Sequence, residues 1–303
     1  MSHVKLYVYP RAQLQMHESI VGFEDTIPFS TLGRMRHCEA VTDPAHADYF
    51  YMGQVADKDA WQLHPNRFPY FQGNEARHII DLEGDWRDFD HPDWLAEAII
   101  TTGHVRLSSK EKFKRRFARP VISPLLVRLA KSPPPYMPPE ERGFWFQGQL
   151  DTTHQLREKV RQAFELAQVP GEWHWVNDWS LYRDENDPLA LDYLAKAQRW
   201  SYALCPVGEG PSCRLYEMAL LGRVPVLIGD YEPFGHDRYD FVVRWSSICT
   251  VQDLALLMND MMGWPVKPDV PVMQYAGRLR AYFADPTAYL LNWIKDREPR
   301  LAH

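Results

Sequence analysis

The sequence predicts an α/β protein of two domains built on parallel sheets, and three observations point there. Short apolar runs of strand length alternate with longer segments through the first half, the rhythm of a parallel sheet with crossover connections. Residues 132–142 (SPPPYMPPEER) hold five prolines; these cannot sit inside regular elements and make an extended, semi-rigid connector. Beyond it, a strand, a glycine-containing loop, a compact helix and a second strand follow one another as a βαβ unit. A chain of 303 residues suits two domains better than one core. The expected division is 1–135, 136–285, and a terminal helix over 286–303 packing back on the first domain.

In order, strands are expected at Val4 to Tyr9, Asp48 to Met52, His78 to Leu82, Ala98 to Thr102 and Val121 to Ser123. After the connector, Gly143 to Gln147 reads as a strand. Thr153 to Val169 reads as an amphipathic helix with Leu156, Val160, Phe164 and Val169 on its apolar stripe. Trp173 to Val176 is the next strand, and Pro188 to Gln198 a helix leading into the strand Tyr202 to Cys205. The loop Pro206 to Ser212 precedes a helix from Arg214 to Leu221, stopped by Gly222, and Val224 to Ile228 is a buried strand. Helical segments follow at Val251 to Met262, Met273 to Phe283 and Tyr289 to Lys295.

Composition excludes several classes. The apolar fraction is 45% and the charged fraction 24%, with no unbroken apolar run long enough for a membrane helix, so a bilayer span is not expected. The start lacks the basic and apolar regions of a secretion signal, and a cytoplasmic protein is expected. A net charge of −6 argues against a nucleic-acid partner. One basic run, Lys110 to Arg119, carries Phe113 and Phe117 four apart and reads as a cationic helix with a solvated face, or as a contact for an acidic glycan or lipid headgroup. The four cysteines show no metal-ligand spacing and read as scattered free thiols.

Chemistry concentrates between Cys205 and Asp230 (CPVGEGPSCRLYEMALLGRVPVLIGD). In a parallel α/β unit the loop leaving the carboxyl end of a strand faces the ligand crevice, and the next helix directs its first N–H groups there. Gly208 and Gly210, with Glu209 and Pro211 in the same loop, let backbone approach a ligand closely; Ser212 is a suitable N-cap. Arg214, expected at the second helical position, offers a guanidinium fork to a diphosphate. Glu217, one turn deeper, can accept hydrogen bonds from ribose hydroxyls. The competing reading of Arg214 and Glu217 is a surface ion pair worth a few tenths of a kcal/mol. Gln147 and Gly148 end a strand facing the same crevice, and Arg157 reaches toward the phosphates.

This run resembles that of the exostosin-type glycosyltransferase family: a strand ending in Cys-Pro, a glycine-containing loop, Ser-x-Arg-Leu-x-Glu, then Gly-x-x-Pro-Val and a strand. Asn74 to Trp86 (NEARHIIDLEGDW), Gly143 to Gly148 (GFWFQG) and Tyr231 to Phe234 (YEPF) are similar to further family segments. The resemblance implies a GT-B architecture, two Rossmann-like domains facing a central cleft. It implies a nucleotide-sugar donor, UDP-linked, held mainly by the second domain, and inversion at the anomeric carbon without a bound metal or other cofactor. The partners would be that donor and a glycan acceptor. The membrane anchor, stem and extra transferase domain of the large animal members are not expected in this chain.

Glycosyl transfer needs a stabilised leaving diphosphate and a base for the acceptor proton. A helix end with Arg214 meets the first need, work that a divalent ion does in other transferases. For the base, Asp81, Glu83 and Asp85 lie at the carboxyl end of the strand ending at Leu82, with Asp85 first and Glu83 second; three carboxylates in a loop also read as merely solvated. His17 and Glu18 are further candidates, His17 on the acceptor side. Trp86, Trp94 and Trp61 are candidate sugar-stacking rings, Trp86 foremost. Two competing classes remain: a binding module of the same fold without a working base, and an epimerase-type enzyme, which would need a glycine fingerprint that YVYPRAQLQ lacks.

Overall fold

The computed structural model describes residues 4–9, 38–56, 64–86, 92–106, 116, 119–122, 136–149, 155–176, 188–208, 214–232, 242–264, 274 and 276–280. The chain divides into two compact units. One comprises Met1–Leu126, Tyr231–Phe234 and Ala281–His303; the other comprises Val127–Asp230 and Gly235–Arg280.

The first unit carries strands β1 (Val4–Val8), β2 (Cys38–Val41), β3 (Tyr49–Ala56), β4 (His78–Trp86), β5 (Ile99–Arg106) and β6 (Arg119–Ile122). A two-residue strand from the distant Tyr231–Glu232, β11, completes its sheet. The order is β11-β5-β4-β3-β1-β2, with β6 also beside β5. All pairs are parallel except β11 with β5. Strands buried on both faces read as continuous apolar runs, and here Leu6, Tyr51, Ile79 and Ile99 are buried on one face. On the other, Tyr7, Tyr9, Phe50, Met52, Ile80 and Ile100 pack with Phe68, Phe71 and Leu95. Each such side chain contributes about 1.5–3 kcal/mol of burial.

His78 is buried in that aromatic layer, its ring stacked on Phe50 at 4.7 Å and 6°. Its Nδ1 lies 2.8 Å from the Asn74 carbonyl, which can only accept, so Nδ1 carries the proton and Nε2 accepts from the Tyr9 hydroxyl at 2.9 Å. Burial pushes its pKa down to about 4. It is a satisfied core histidine, neutral by desolvation.

The second unit holds β7 (Glu141–Gly148), β8 (Gly171–Trp175), β9 (Trp200–Pro206), β10 (Val224–Ile228) and β12 (Val243–Trp245), all parallel, in the order β12-β10-β9-β7-β8. Its helices include α1 (Leu156–Ala167), α2 (Pro188–Arg199), α3 (Arg214–Leu220) and α4 (Val251–Gly263). Helix α1 buries Leu156, Val160, Ala163 and Ala167, a helical stripe. The expected stripe differs at its end, because Gln168 takes a left-handed conformation (φ 52°) and stops the helix before Val169. Phe164 packs instead on Trp173. Strand β9 is buried along its whole length, as a central strand must be.

Helix α3 ends where the sequence expects. Gly222 adopts φ +72°, and the Gly222 and Arg223 amides return to the Ala219 and Met218 carbonyls at 3.0 and 2.8 Å. Helix α4 opens with a capping box: Asp253 N–H donates to Thr250 Oγ1 at 3.1 Å, and Thr250 N–H donates to Asp253 Oδ2 at 2.9 Å. Among the described residues no helix is long and apolar enough to cross a membrane.

Strands β2, β11 and β12 were not expected from the sequence. Residues 276–280 are helical, whereas Tyr289 to Lys295 lies outside the described residues. So does most of the basic run: of Lys110 to Arg119 only Arg116, paired with Asp93 at 2.7 Å, and Arg119 are described. Arg119 begins β6 rather than continuing a helix.

Candidate functional site at the strand ends of the second unit

From β7 the chain passes through α1 to β8 on one side, then returns through α2 to β9 on the other side of β7 and continues outward to β10. The direction of winding therefore reverses between β7 and β9. In open parallel sheets the crevice outside the carboxyl ends of such a strand pair is where ligands bind, because the two flanking loops diverge to opposite faces.

The carboxyl end of β7 is Gln147 and Gly148, and that of β9 runs into Val207 and Gly208. Helix α3 starts from the loop after β9 and brings Arg214 back to β7. Its Nη2 donates to the Gln147 carbonyl, and its guanidinium lies over the Phe146 ring at 4.6 Å. Gly148 is what allows this approach: a Cβ there would lie 2.9 Å from Arg214 Nη2 and 2.7 Å from Phe146 Cζ. Arg157, at the start of α1, donates from Nη1 to the Gln149 carbonyl at 2.7 Å. Its Nη2 would lie 2.8 Å from a Cβ on Gly208. Two arginines thus reach across the switch point, one from each flanking helix, each passing a glycine that leaves it room.

Glu217 lies one turn along α3 and accepts a 2.6 Å hydrogen bond from the Tyr193 hydroxyl of α2. Tyr193 packs edge-on against Trp145 of β7, with ring centroids 4.9 Å apart. Burial raises the Tyr193 phenol well above its ordinary pKa; the Glu217 carboxylate adds to this and Arg214 opposes it. The Cys205 thiol at the end of β9 is pushed up to about 12 by burial, again with Arg214 opposing. It stays protonated and is no nucleophile at neutral pH.

Arg214 and Glu217 are 2% and 7% exposed, which rules out a surface ion pair. Charges so deeply placed carry a desolvation cost of several kcal/mol each, and such arrangements concentrate where a fold has chemistry to perform. Arg214 opens the described part of α3, and Cys213 before it lies outside the described residues. Glu209, Gly210, Pro211 and Ser212 lie outside the described residues.

The structure thus brings Gln147, Gly148, Arg157, Gly208, Arg214 and Glu217 together. Sequence reasoning missed Tyr193 and Trp145. Both lie in elements the sequence predicts, but their contacts with Glu217 and Arg214 join α2, β7 and α3, which only the fold makes neighbours.

The acceptor-side residues fare differently. Asp81, Glu83 and Asp85 are not in a loop: β4 continues to Trp86, accompanied by β3 as far as Glu83 and by β5 to its end. Asp81 is paired with Gln54 and Thr101, Glu83 with Ala56, Asp85 with His104 and Trp86 with Val105. The register shifts between Leu82 and Asp85, and such irregularities re-aim strand ends and recur beside active sites. Trp94 packs edge-on against Phe71 at 4.8 Å and is partly buried against the aromatic core. His17, Glu18 and Trp61 lie outside the described residues.

No protein-family model matches this chain, and no curated protein matches it in sequence. Among solved structures it is similar to that of Arabidopsis thaliana UGT89C1 complexed with UDP, at 13% identity, covering 84% of this chain and 74% of that one, with a TM-score of 0.41. It is also similar to AviGT4, a glycosyltransferase involved in avilamycin A biosynthesis, at 11% identity, 99% and 98% coverage and a TM-score of 0.41. A third is the glycotransferase of kitacinnamycin, at 11% identity, 96% and 98% coverage and a TM-score of 0.39. At these values the functional reading rests on the geometry of the site itself.

Proposed function

We propose that this protein is a glycosyltransferase of GT-B architecture that moves a sugar from a nucleotide-diphosphate donor, UDP-linked, to a glycan acceptor. The observation that carries the reading is the convergence of two arginines, a buried glutamate and two glycines on the carboxyl ends of β7 and β9, where the sheet reverses its winding.

Each part has a task. Arg157 and Arg214 hold the diphosphate in charge-assisted hydrogen bonds. As the bond from the anomeric carbon to the diphosphate oxygen breaks, they stabilise the charge that develops on the leaving group, work a divalent ion does in other transferases. Glu217 accepts from the ribose hydroxyls. The glycines keep side chains out of the space the phosphates occupy. On the acceptor side, Asp85, or Glu83 after it, takes the proton from the attacking hydroxyl as that oxygen bonds to the anomeric carbon from the opposite face. Configuration is then inverted, and no metal or other cofactor takes part. Trp86 and His17 line the acceptor side in this reading.

The test is a thermal-shift panel of UDP-, GDP- and dTDP-sugars in EDTA, run on the wild type and on Arg214→Ala and Glu217→Ala. A sugar nucleotide that stabilises the wild type and neither variant supports the donor site, names the nucleotide and supports metal independence. No shift with any donor refutes the reading. Turnover of the stabilising donor distinguishes an enzyme from a binding module of the same fold.

A further inference from the structure

We infer that Tyr193 is a positioning residue for the donor ribose, acting through Glu217, so that discrimination between ribose and 2′-deoxyribose depends on a tyrosine that itself touches no ligand. The inference rests on the donor-site reading above and adds to it the residue that sets the sugar selectivity of that site.

A glutamate on a short helix has three rotatable bonds and, unrestrained, spreads its carboxylate over several rotamers. Tyr193 removes that freedom. Its hydroxyl donates to Glu217 Oε2 at 2.6 Å, within the short range of O–H bonds to carboxylate oxygens and stronger than a neutral pair. The tyrosine is in turn fixed: it is 5% exposed, and its ring sits edge-on to Trp145 at 4.9 Å and 71°. Trp145 is the residue before Phe146, on which the Arg214 guanidinium rests, and Arg214 also lies 5.9 Å from the Trp145 ring centre. One strand therefore braces both the phosphate-binding arginine and the tyrosine that holds the glutamate. With Oε2 engaged by Tyr193, the ribose hydroxyls fall to Oε1.

The phenol is suited to this role because burial holds it protonated. It can only remain a donor to Glu217, so the carboxylate keeps its acceptor face toward the ligand. A site built to hydrogen-bond a hydroxyl rejects an analogue lacking it because its buried polar group is left unmatched. That penalty requires the carboxylate to be unable to swing away, and Tyr193 supplies this constraint.

Tyr193→Phe deletes one oxygen and keeps the ring against Trp145. The dissociation constants of UDP and 2′-deoxy-UDP are measured by calorimetry on the full chain, for wild type, Tyr193→Phe, Glu217→Gln and the double variant. The wild type is expected to prefer UDP by about tenfold or more, the worth of one charge-assisted hydrogen bond. Tyr193→Phe should bind UDP about tenfold more weakly and 2′-deoxy-UDP unchanged, and the double variant should lose no more than Glu217→Gln alone. Equal weakening of both ligands, or no change in either, overturns the inference and leaves the donor site standing. So does independent loss in the double variant, read against Glu217→Gln. A wild type that binds UDP without preferring it removes the ribose role of Glu217 and the inference with it. A wild type that binds neither nucleotide overturns the donor-site reading as well.

Discussion

Replacing Gly208 by alanine separates an Arg157 that holds phosphate from one that merely ties a loop. A Cβ on Gly208 lies 2.8 Å from Arg157 Nη2 and 3.5 Å from its Cζ. Ordinary contact begins at about 3.5 Å, so the guanidinium must retreat by about 0.7 Å. Its Nη1 donates to the Gln149 carbonyl at 2.7 Å, and a retreat of that size away from the carbonyl lengthens the bond beyond the useful range of about 3.2 Å. The atom in the way is the tip of a flexible side chain, so the fold should lose less than about 1 kcal/mol. The ligand should lose more. A displaced charge-assisted hydrogen bond to phosphate is worth about 1.5–3 kcal/mol, a rise in the UDP dissociation constant of roughly ten- to a hundredfold. Calorimetric titration of wild type, Gly208→Ala and Arg157→Ala with UDP, beside melts without ligand, measures both quantities. Unchanged UDP affinity in both variants, with intact melts, would refute the phosphate role of Arg157 and the reason given for the glycine.

Gly148→Ala should be harsher, because the new Cβ meets the Phe146 ring and Arg214 Nη2 at 2.7 and 2.9 Å; a loss of about 1–3 kcal/mol is expected in urea unfolding, and a wild-type midpoint would contradict the crowding. Thr250→Ala removes the reciprocal cap of α4 and should lower stability by about 1 kcal/mol without altering UDP affinity, both checked by melts with and without nucleotide. Asp85→Asn should abolish transfer while UDP still binds; retained turnover would move the base to Glu83, tested by Glu83→Gln. Because the folded pKa of His78 is depressed to about 4, its contribution is fully present above the unfolded value near 6.5 and is lost as pH falls through that window. At pH 4.5 the loss is about 2.5 kcal/mol, so urea unfolding should show the wild type losing that much more than His78→Phe between pH 7.5 and 4.5; equal losses would refute it.

Much of the second unit is readable because its signals are local. Gly222 must follow α3, since an unstrained left-handed residue there returns two amides to the last turn. Arg214, Glu217, Gly148 and Gly208 stand out because a loop leaving a parallel strand has one place to face, and their chemistry suits a diphosphate and a ribose. Strand ends were less readable. Nothing in Glu83 or Asp85 marks them as strand residues; β4 continues through them because β3 pairs with Glu83 and β5 with Asp85. Trp94 likewise reads as a free ring until Phe71 is placed against it.

By itself the sequence determined two parallel-sheet units and the charged residues and glycines that gather at the ends of β7 and β9, because periodicity, turn chemistry and side-chain type act over a few neighbouring positions. Only the tertiary structure decided that Arg214 passes Gly148 to reach β7, that Tyr193 holds Glu217, and that the carboxylates of β4 sit in a strand. Those contacts join segments whose proximity arises from the order in which strands pair, and pairing order is a property of the packed whole.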